Sequence, residues 1–208
     1  MEITKVSPQA RNPERVNLYV DGRFYRGLDR LVAMKLGLRP GLTMNPQLVG
    51  KLETTQSENS AWEWALRSLQ ISPKSVREMR QKLQRKFETD VAEALIRRLQ
   101  EAGLLNDMRL GEQLAGQWMQ RATKSRREIV MKLRQKGIDA AIVDNIMATL
   151  DGDTEAALNL ARIKNRTLRV ELPWSERYQK LASYLARKGF SYIEIKRAVT
   201  PDNLTGNT

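Results

Sequence analysis

The segment 125–138, SRREIVMKLRQKGI, occurs along the chain in three versions, and this repetition constrains the fold more than any other feature. Setting Leu133 on Leu83 and Leu185 brings Ile129 onto Met79 and Leu181, and Lys136 onto Lys86 and Lys188. Ile138 then matches Phe87 and Phe190, with one residue missing after Lys86, and further on Ile142 matches Val91. The offsets are 50 and 52 residues, a period near 50. Similarity at such a spacing marks repeated supersecondary units, each too small to bury its apolar face alone.

Each copy reads as a basic helix that stops, turns and gives way to another helix. Ser75-x-x-Glu78 and Ser125-x-x-Glu128 fit a capping box, in which the serine and glutamate satisfy each other's orphan amides. Gly137 and Gly189 stand where the helix must end, and glycine enters the left-handed conformation of a C-terminal cap without steric cost. Lys136 and Lys188 fall in the last turn, where a cation meets the negative end of the helix dipole. Further apolar residues complete three units of three helices. The first carries Trp62, Ala65, Leu66 and Leu69, then a helix over 75–86, then Val91, Leu95, Ile96 and Leu99 to a stop at Gly103. The second carries Leu110, Leu114 and Trp118, then Ile129 and Leu133, then Ile142, Ile146 and Met147. The third carries Ala157, Leu160 and Ala161, then Tyr178, Leu181 and Leu185, then Ile195 and Val199.

Residues 1–57 follow a different rule. Val16–Val20 alternates, Asp21-Gly22 is a strong hairpin turn, and Arg23-Phe24-Tyr25 starts the return strand. Glu2–Val6 adds a third strand, and 28–36 forms a short helix stopped at Gly37. Asn45-Pro46 opens a polar linker helix through Ser57 that extends toward Trp62. The expected fold is mainly α: tandem three-helix repeat units in an elongated array, behind a small N-terminal β-hairpin-plus-helix module. The boundaries are 1–57, 58–106, 107–152 and 153–200, with 201–208 a flexible tail.

The segments SRREIVMKLRQKGI, PKSVREMRQKLQRKF and YLARKGFSYIEIKRAV resemble the three tandem units of the RecX family, regulators of RecA recombinase. ITKVSPQARNPERVNLYVDGRF is similar to the leader of the family's longer members. The resemblance spans nearly the whole chain and is weakest after Thr200. Two departures stand out: Lys86-Phe87 lacks the glycine, and 165–172 reads as an irregular insert. The resemblance implies a non-enzymatic protein that binds the RecA–DNA filament and modulates recombination, ATP hydrolysis and co-protease activity, within DNA repair and SOS control.

Composition excludes several other classes. The chain has no cysteine and no histidine, which removes disulfides, thiolate catalysis and the commonest general base and metal ligand. No apolar run approaches the ~18 residues of a membrane span and no signal-peptide core is present, so a soluble cytoplasmic monomer is expected. No phosphate-binding Gly-x4-Gly-Lys-Ser/Thr loop occurs, no pair of carboxylates is set for acid–base work, and no cofactor or metal is expected. Asp151-Gly152-Asp153-Thr154-Glu155 begins like a calcium loop but lacks the later ligands, so Asp153 or Thr154 is expected to cap the following helix.

A net charge of +12 points to an acidic partner, nucleic acid first. The charge is spread along the chain, so the signal lies in local clusters. With Ile129 and Leu133 facing inward, 100° steps place Arg127, Met131, Arg134 and Gln135 on the far face, flanked by Lys132. Arg77, Gln81, Gln84 and Arg85, flanked by Lys82, form the matching set. Lys74, Arg121 and Lys124 extend the positive helix starts. Lys74, Arg77, Lys82, Arg85, Arg121, Lys124, Arg127, Lys132 and Arg134 are therefore the candidate contacts to single- or double-stranded DNA or to a RecA filament. A solvated helix face is the plain alternative for any one such run, and its recurrence favours binding. Trp62 and Trp118 lie on apolar stripes and are expected in the core; Trp64 and Trp174 are open to stacking. Two other functions fit the same features: a helix-turn-helix-like DNA-binding protein acting without RecA, and a helical scaffold for a protein partner.

Overall fold

The computed structural model describes residues 1–150 and 152–205. They group into two compact units, Met1–Pro73 with Met79–Ala102, and Lys74–Glu78 with the described residues from Gly103 onward.

The first unit opens on an antiparallel sheet ordered β1 (Ile3–Gln9), β2 (Asn12–Val20), β3 (Arg23–Asp29). Asp21 and Gly22 both take positive φ, 48° and 78°, the backbone of the tight turn expected there. Inward residues alternate along the strands, and Ile3, Val16, Leu18, Val20 and Leu28 form a core with Val32 and Leu52. The strands run further than their alternation suggests. Leu28 and Asp29 pair with Val16 and Arg15, so helix α1 is only Arg30–Lys35. Asp29 is 7% exposed and gathers Arg15 Nη1 (3.1 Å), Gln56 Nε2 (2.6 Å) and Asn59 Nδ2 (3.0 Å). This buried network ties the sheet's end to the next helix.

That helix, α2 (Pro46–Ile71), is continuous. Asn45 caps it by accepting from the Leu48 amide at 2.8 Å, with Pro46 in the first turn. The linker helix and the first helix of the repeat region are thus one element, and Gly50 does not interrupt it. Its buried stripe is Leu52, Ala61, Ala65 and Ser68, while Trp62, Leu66 and Leu69 are half-buried. Small side chains allow close approach to α4 (Thr89–Glu101), which buries Ala92, Leu95, Ile96 and Leu99. Between them in the chain comes α3 (Val76–Gln84), shorter than the expected 75–86. With no glycine after Lys86, the amides of Lys86 and Phe87 both turn back to the Leu83 carbonyl, each at 2.9 Å.

In the second unit, α5 (Asp107–Gln120), α6 (Arg126–Gln135) and α7 (Ala140–Ala148) surround Ala115, Ile129, Leu133, Ile138, Val143 and Ile146. Helices α8 (Thr154–Asn165), α9 (Trp174–Lys188), α10 (Tyr192–Ala198) and α11 (Pro201–Thr205) surround Ala157, Leu160, Leu181, Leu185, Phe190 and Ile195. The i, i+4 pairs Met79/Leu83, Ile129/Leu133 and Leu181/Leu185 are all 0% exposed, so the repeat alignment identifies the same inward face three times. Irregular backbone joins α8 to α9, at the position of the expected insert. Of the expected tail, 201–205 is the short helix α11, and 206–208 lies outside the described residues.

Candidate nucleic-acid interface

Start and stop signals that are separate in the sequence meet in space. Ser125 starts α6: its Oγ accepts from the Glu128 amide at 3.1 Å and donates to the Lys188 carbonyl at the end of α9, at 2.6 Å. Ser75 does the same at the start of α3, accepting from the Glu78 amide at 3.1 Å and donating to the Lys136 carbonyl at the end of α6, at 2.5 Å. Each serine is fully buried and satisfies an orphan amide of one helix and an orphan carbonyl of the next. The positive end of one dipole thereby faces the negative end of another.

An aspartate from further along the chain completes each joint. Asp107 accepts from the Val76 amide at 2.9 Å, and Asp153 from the Arg126 amide at 2.8 Å with both oxygens. Asp153 is the N-cap residue of α8, one of the two residues expected there, but its side chain makes no bond to its own helix and instead accepts from the Arg126 amide at the start of α6. Asp151, the other half of the calcium-loop reading, lies outside the described residues. Burial pushes the Asp153 carboxyl above its ordinary value; the bond from Arg126 opposes that shift, and the charge of Glu194 adds to it.

The same joints hold two of the candidate contacts. Gly137 and Gly189 adopt φ of 84° and 93°, and a Cβ on them would lie 2.7 Å from the Cβ of Arg77 and 3.1 Å from that of Arg127. Arg77 and Arg127 thus lay their stems across the helix stops at Gly137 and Gly189, and both residues are exposed. Arg134 is exposed and 3.8 Å from Asp144; Lys124 is half-buried and 3.7 Å from Glu128. Lys132 is half-buried beside Met131, which is 50% exposed, and Arg121 is exposed at the C-cap of α5. Lys74 is half-buried; Lys82 and Arg85 are exposed on the part of the chain that belongs to the first unit.

The structure adds two cations. Arg127, Met131, Arg187, Lys188 and Gly189 line one open groove where α6 meets α9. In the sequence Lys188 reads only as a cap, and Arg187 carries no signal until the joint sets it beside Arg127. The aromatics divide differently from expectation. Trp118 is partly buried against the second core. Trp62 instead lies half-buried beneath Arg98, 4.0 Å from guanidinium carbon to ring centre, and Trp64 sits 5.3 Å from Lys86 Nζ. Trp174 is 40% exposed against Tyr178. Among the described residues, no group of three acidic side chains is placed to hold a metal, and no helix is long and apolar enough to cross a membrane.

Three family models match the chain: the regulatory protein RecX N-terminal domain over residues 1–45, the RecX first three-helix domain over 61–99 and the RecX third three-helix domain over 151–199. The chain is 30% identical over 201 residues to the regulatory protein RecX of Clostridium perfringens (strain SM101), covering 92% of this chain and 91% of that one. It is 28% identical over 198 residues to that of Clostridioides difficile, covering 95% and 93%. Its fold is similar to a crystal structure of regulatory protein RecX, with a TM-score of 0.78, 22% identity and coverage of 95% and 98%. The crystal structure of RecX from Lactobacillus salivarius gives a TM-score of 0.62 at 24% identity, covering 69% and 95%. Matches at both ends of the chain and near-complete coverage of relatives place this protein in the RecX family.

Proposed function

We propose that this protein regulates a RecA-type recombinase by binding the recombinase–DNA filament, modulating strand exchange, ATP hydrolysis and co-protease activity without catalysis of its own. The carrying observation is the outward face of α6. Met131, Arg134 and Gln135 are exposed there and Arg127 reaches the groove beside them, opposite the fully buried Ile129 and Leu133. A helix with one face fixed in a core presents its cations in a set array, suited to phosphates or to acidic protein surface. Family membership supplies the regulatory role, and the cationic helices suit a polyanionic filament. In this reading the three units, 58–106, 107–152 and 153–200, engage the filament together, and their linkage makes each later contact intramolecular.

The decisive measurement is recombinase ATP hydrolysis on single-stranded DNA, with and without the protein. A change that grows with protein concentration is expected. Binding to bare DNA with no effect on the recombinase would favour the plain DNA-binding reading instead. Charge reversal of Arg127, Lys132 and Arg134 should weaken DNA binding more than reversal of the exposed Lys51, Arg97 and Arg166. It should also lower the salt slope by ~0.7–0.9 for each phosphate that is no longer neutralised. Equal effects from both sets would assign binding to general charge.

A further inference from the structure

The N-terminal sheet has a second face that its core does not use. Register places Lys5 opposite Tyr19, and Tyr19 opposite Phe24, in one row across all three strands. Inward positions in the neighbouring row are Val6, Leu18 and Arg26, of which Leu18 is fully buried, so the Lys5–Tyr19–Phe24 row belongs to the opposite, open face. Lys5 Nζ lies 5.7 Å from the Tyr19 ring centre, and the Tyr19 and Phe24 rings meet edge to face at 5.8 Å. Phe24 is 60% exposed and Tyr25, the extra residue of a bulge in β3, 36%.

At the turn end of this face Arg23, exposed opposite Val20, lines one open recess with the two solvent-reaching aromatics Phe24 and Tyr25, and Lys5 supplies the cation within the row. Among the described residues, Lys5 and Arg23 form no ion pair. Further along the sheet, Arg15 is held by Asp29 and does not compete for this end. An aromatic ring left in water gains nothing from folding, and a flat ring beside unpaired cations offers what a nucleotide strand requires. The rings accept the faces of bases, and the cations accept the phosphates between them.

We propose that this face, centred on Phe24 with Tyr19 and Lys5 and flanked at its turn end by Tyr25 and Arg23, binds single-stranded DNA by base stacking. Paired bases hide their faces within the duplex, so the site distinguishes an unpaired strand from a paired one. The basic face of α6 carries no aromatic ring and cannot make that distinction in this way. The inference is independent of the filament reading, since it requires only bare DNA and the sheet.

The experiment titrates the full-length protein into a labelled oligothymidylate and, separately, its duplex with oligoadenylate, following fluorescence anisotropy. Phe24→Leu keeps the apolar bulk and removes the π-face; Phe24→Trp keeps and enlarges it. Phe24→Leu should weaken single-strand binding by about fivefold or more, the loss of one stacked base, and leave duplex binding within about twofold. Phe24→Trp should bind the single strand at least as well as the parent. Unchanged single-strand affinity in Phe24→Leu, or an equal loss on both DNAs, would overturn the proposal. Thermal melts of each variant establish that the exposed substitution has left the fold intact. Reversal of Arg127, Lys132 and Arg134 should shift both affinities and preserve their ratio, so failure of one site is distinguishable from failure of the other.

Discussion

The two joints share a serine, an aspartate and a glycine, yet they handle charge in opposite ways. At the α3–α6 joint the capping box closes: Glu78 accepts from the Ser75 amide at 3.0 Å and receives Lys136 Nζ at 2.9 and 3.0 Å. Both partners of that ion pair are about one-third exposed, so water screens it and its stability contribution is modest. At the α6–α9 joint, Glu128 Oε2 is buried with no hydrogen-bond partner. Asp153, 3% exposed, takes the central place, and the Arg126 guanidinium turns to the carbonyls of Met147 and Leu150 at the end of α7. Backbone hydrogen bonds fix the geometry of both joints. Side-chain charge is variable dressing, half in water at one joint and enclosed at the other.

Helix α6 is the test of that view, because its first turn serves one joint and its last turn the other. Leu133→Ala empties a fully buried position between them and should cost ~2–5 kcal/mol in chemical denaturation. Both joints should loosen together, visible as parallel increases in hydrogen exchange at the Val76 and Arg126 amides. A cost below ~0.5 kcal/mol would mean that this helix does not anchor the pair.

A smaller effect separates the joints. Alanine at Gly137 or Gly189 must adopt a left-handed backbone, costing ~1–2 kcal/mol at either site. Gly137→Ala additionally drives a Cβ to 2.7 Å from the Arg77 Cβ, whereas at Gly189 the nearest approach, to Arg127 Cδ, is 3.0 Å. Gly137→Ala should therefore be the more destabilising in thermal melts. Equal costs would show that both arginine stems yield freely.

The smallest effect depends on pH. Asp153 has a folded pKa above its ordinary 3.8, so the folded chain holds this proton more tightly than the unfolded chain. Its contribution to stability therefore falls as pH rises from 3.8 through the raised value, and acidification within that window restores it. Asp153→Asn keeps an acceptor for the Arg126 amide and removes the titration. Parent and variant stabilities, measured across the window, should differ by an amount that changes with pH in that sense. Parallel curves would show that Asp153 is not held by burial.

Much of this fold is legible from spacing. The inward pairs, the Asp-Gly turn and the serine and glycine punctuation are local signals, and local chemistry gives them one meaning. What stays hidden depends on residues far apart in the chain. Nothing near Asp153 indicates that it will cap α6, because the amide it serves lies 27 residues away. The buried stripe on α2 includes the small residues Ala61, Ala65 and Ser68, with Trp62, Leu66 and Leu69 half-buried beside it, because packing against α4, distant in sequence, selects the inward face. For the candidate interface, the exposed face of α6 follows from periodicity. Arg187 and Lys188 enter it only because the α6–α9 contact places them beside Arg127.

The joint also bears on how many units such a chain holds. A unit whose second helix begins with Ser-x-x-Glu and ends in Lys-Gly carries both halves of the contact, so duplicating it duplicates the means of attachment. Only the middle unit is complete in this sense. At one end Lys86-Phe87 omits the glycine, and α2 runs unbroken where an aspartate would begin a new helix. At the other, repeat alignment puts Arg177 at the serine position, inside α9 and bonded to Asn165, Arg169 and Val170. Growth by tandem copying therefore has one site of entry, the middle, and two ends at which the copying grammar stops.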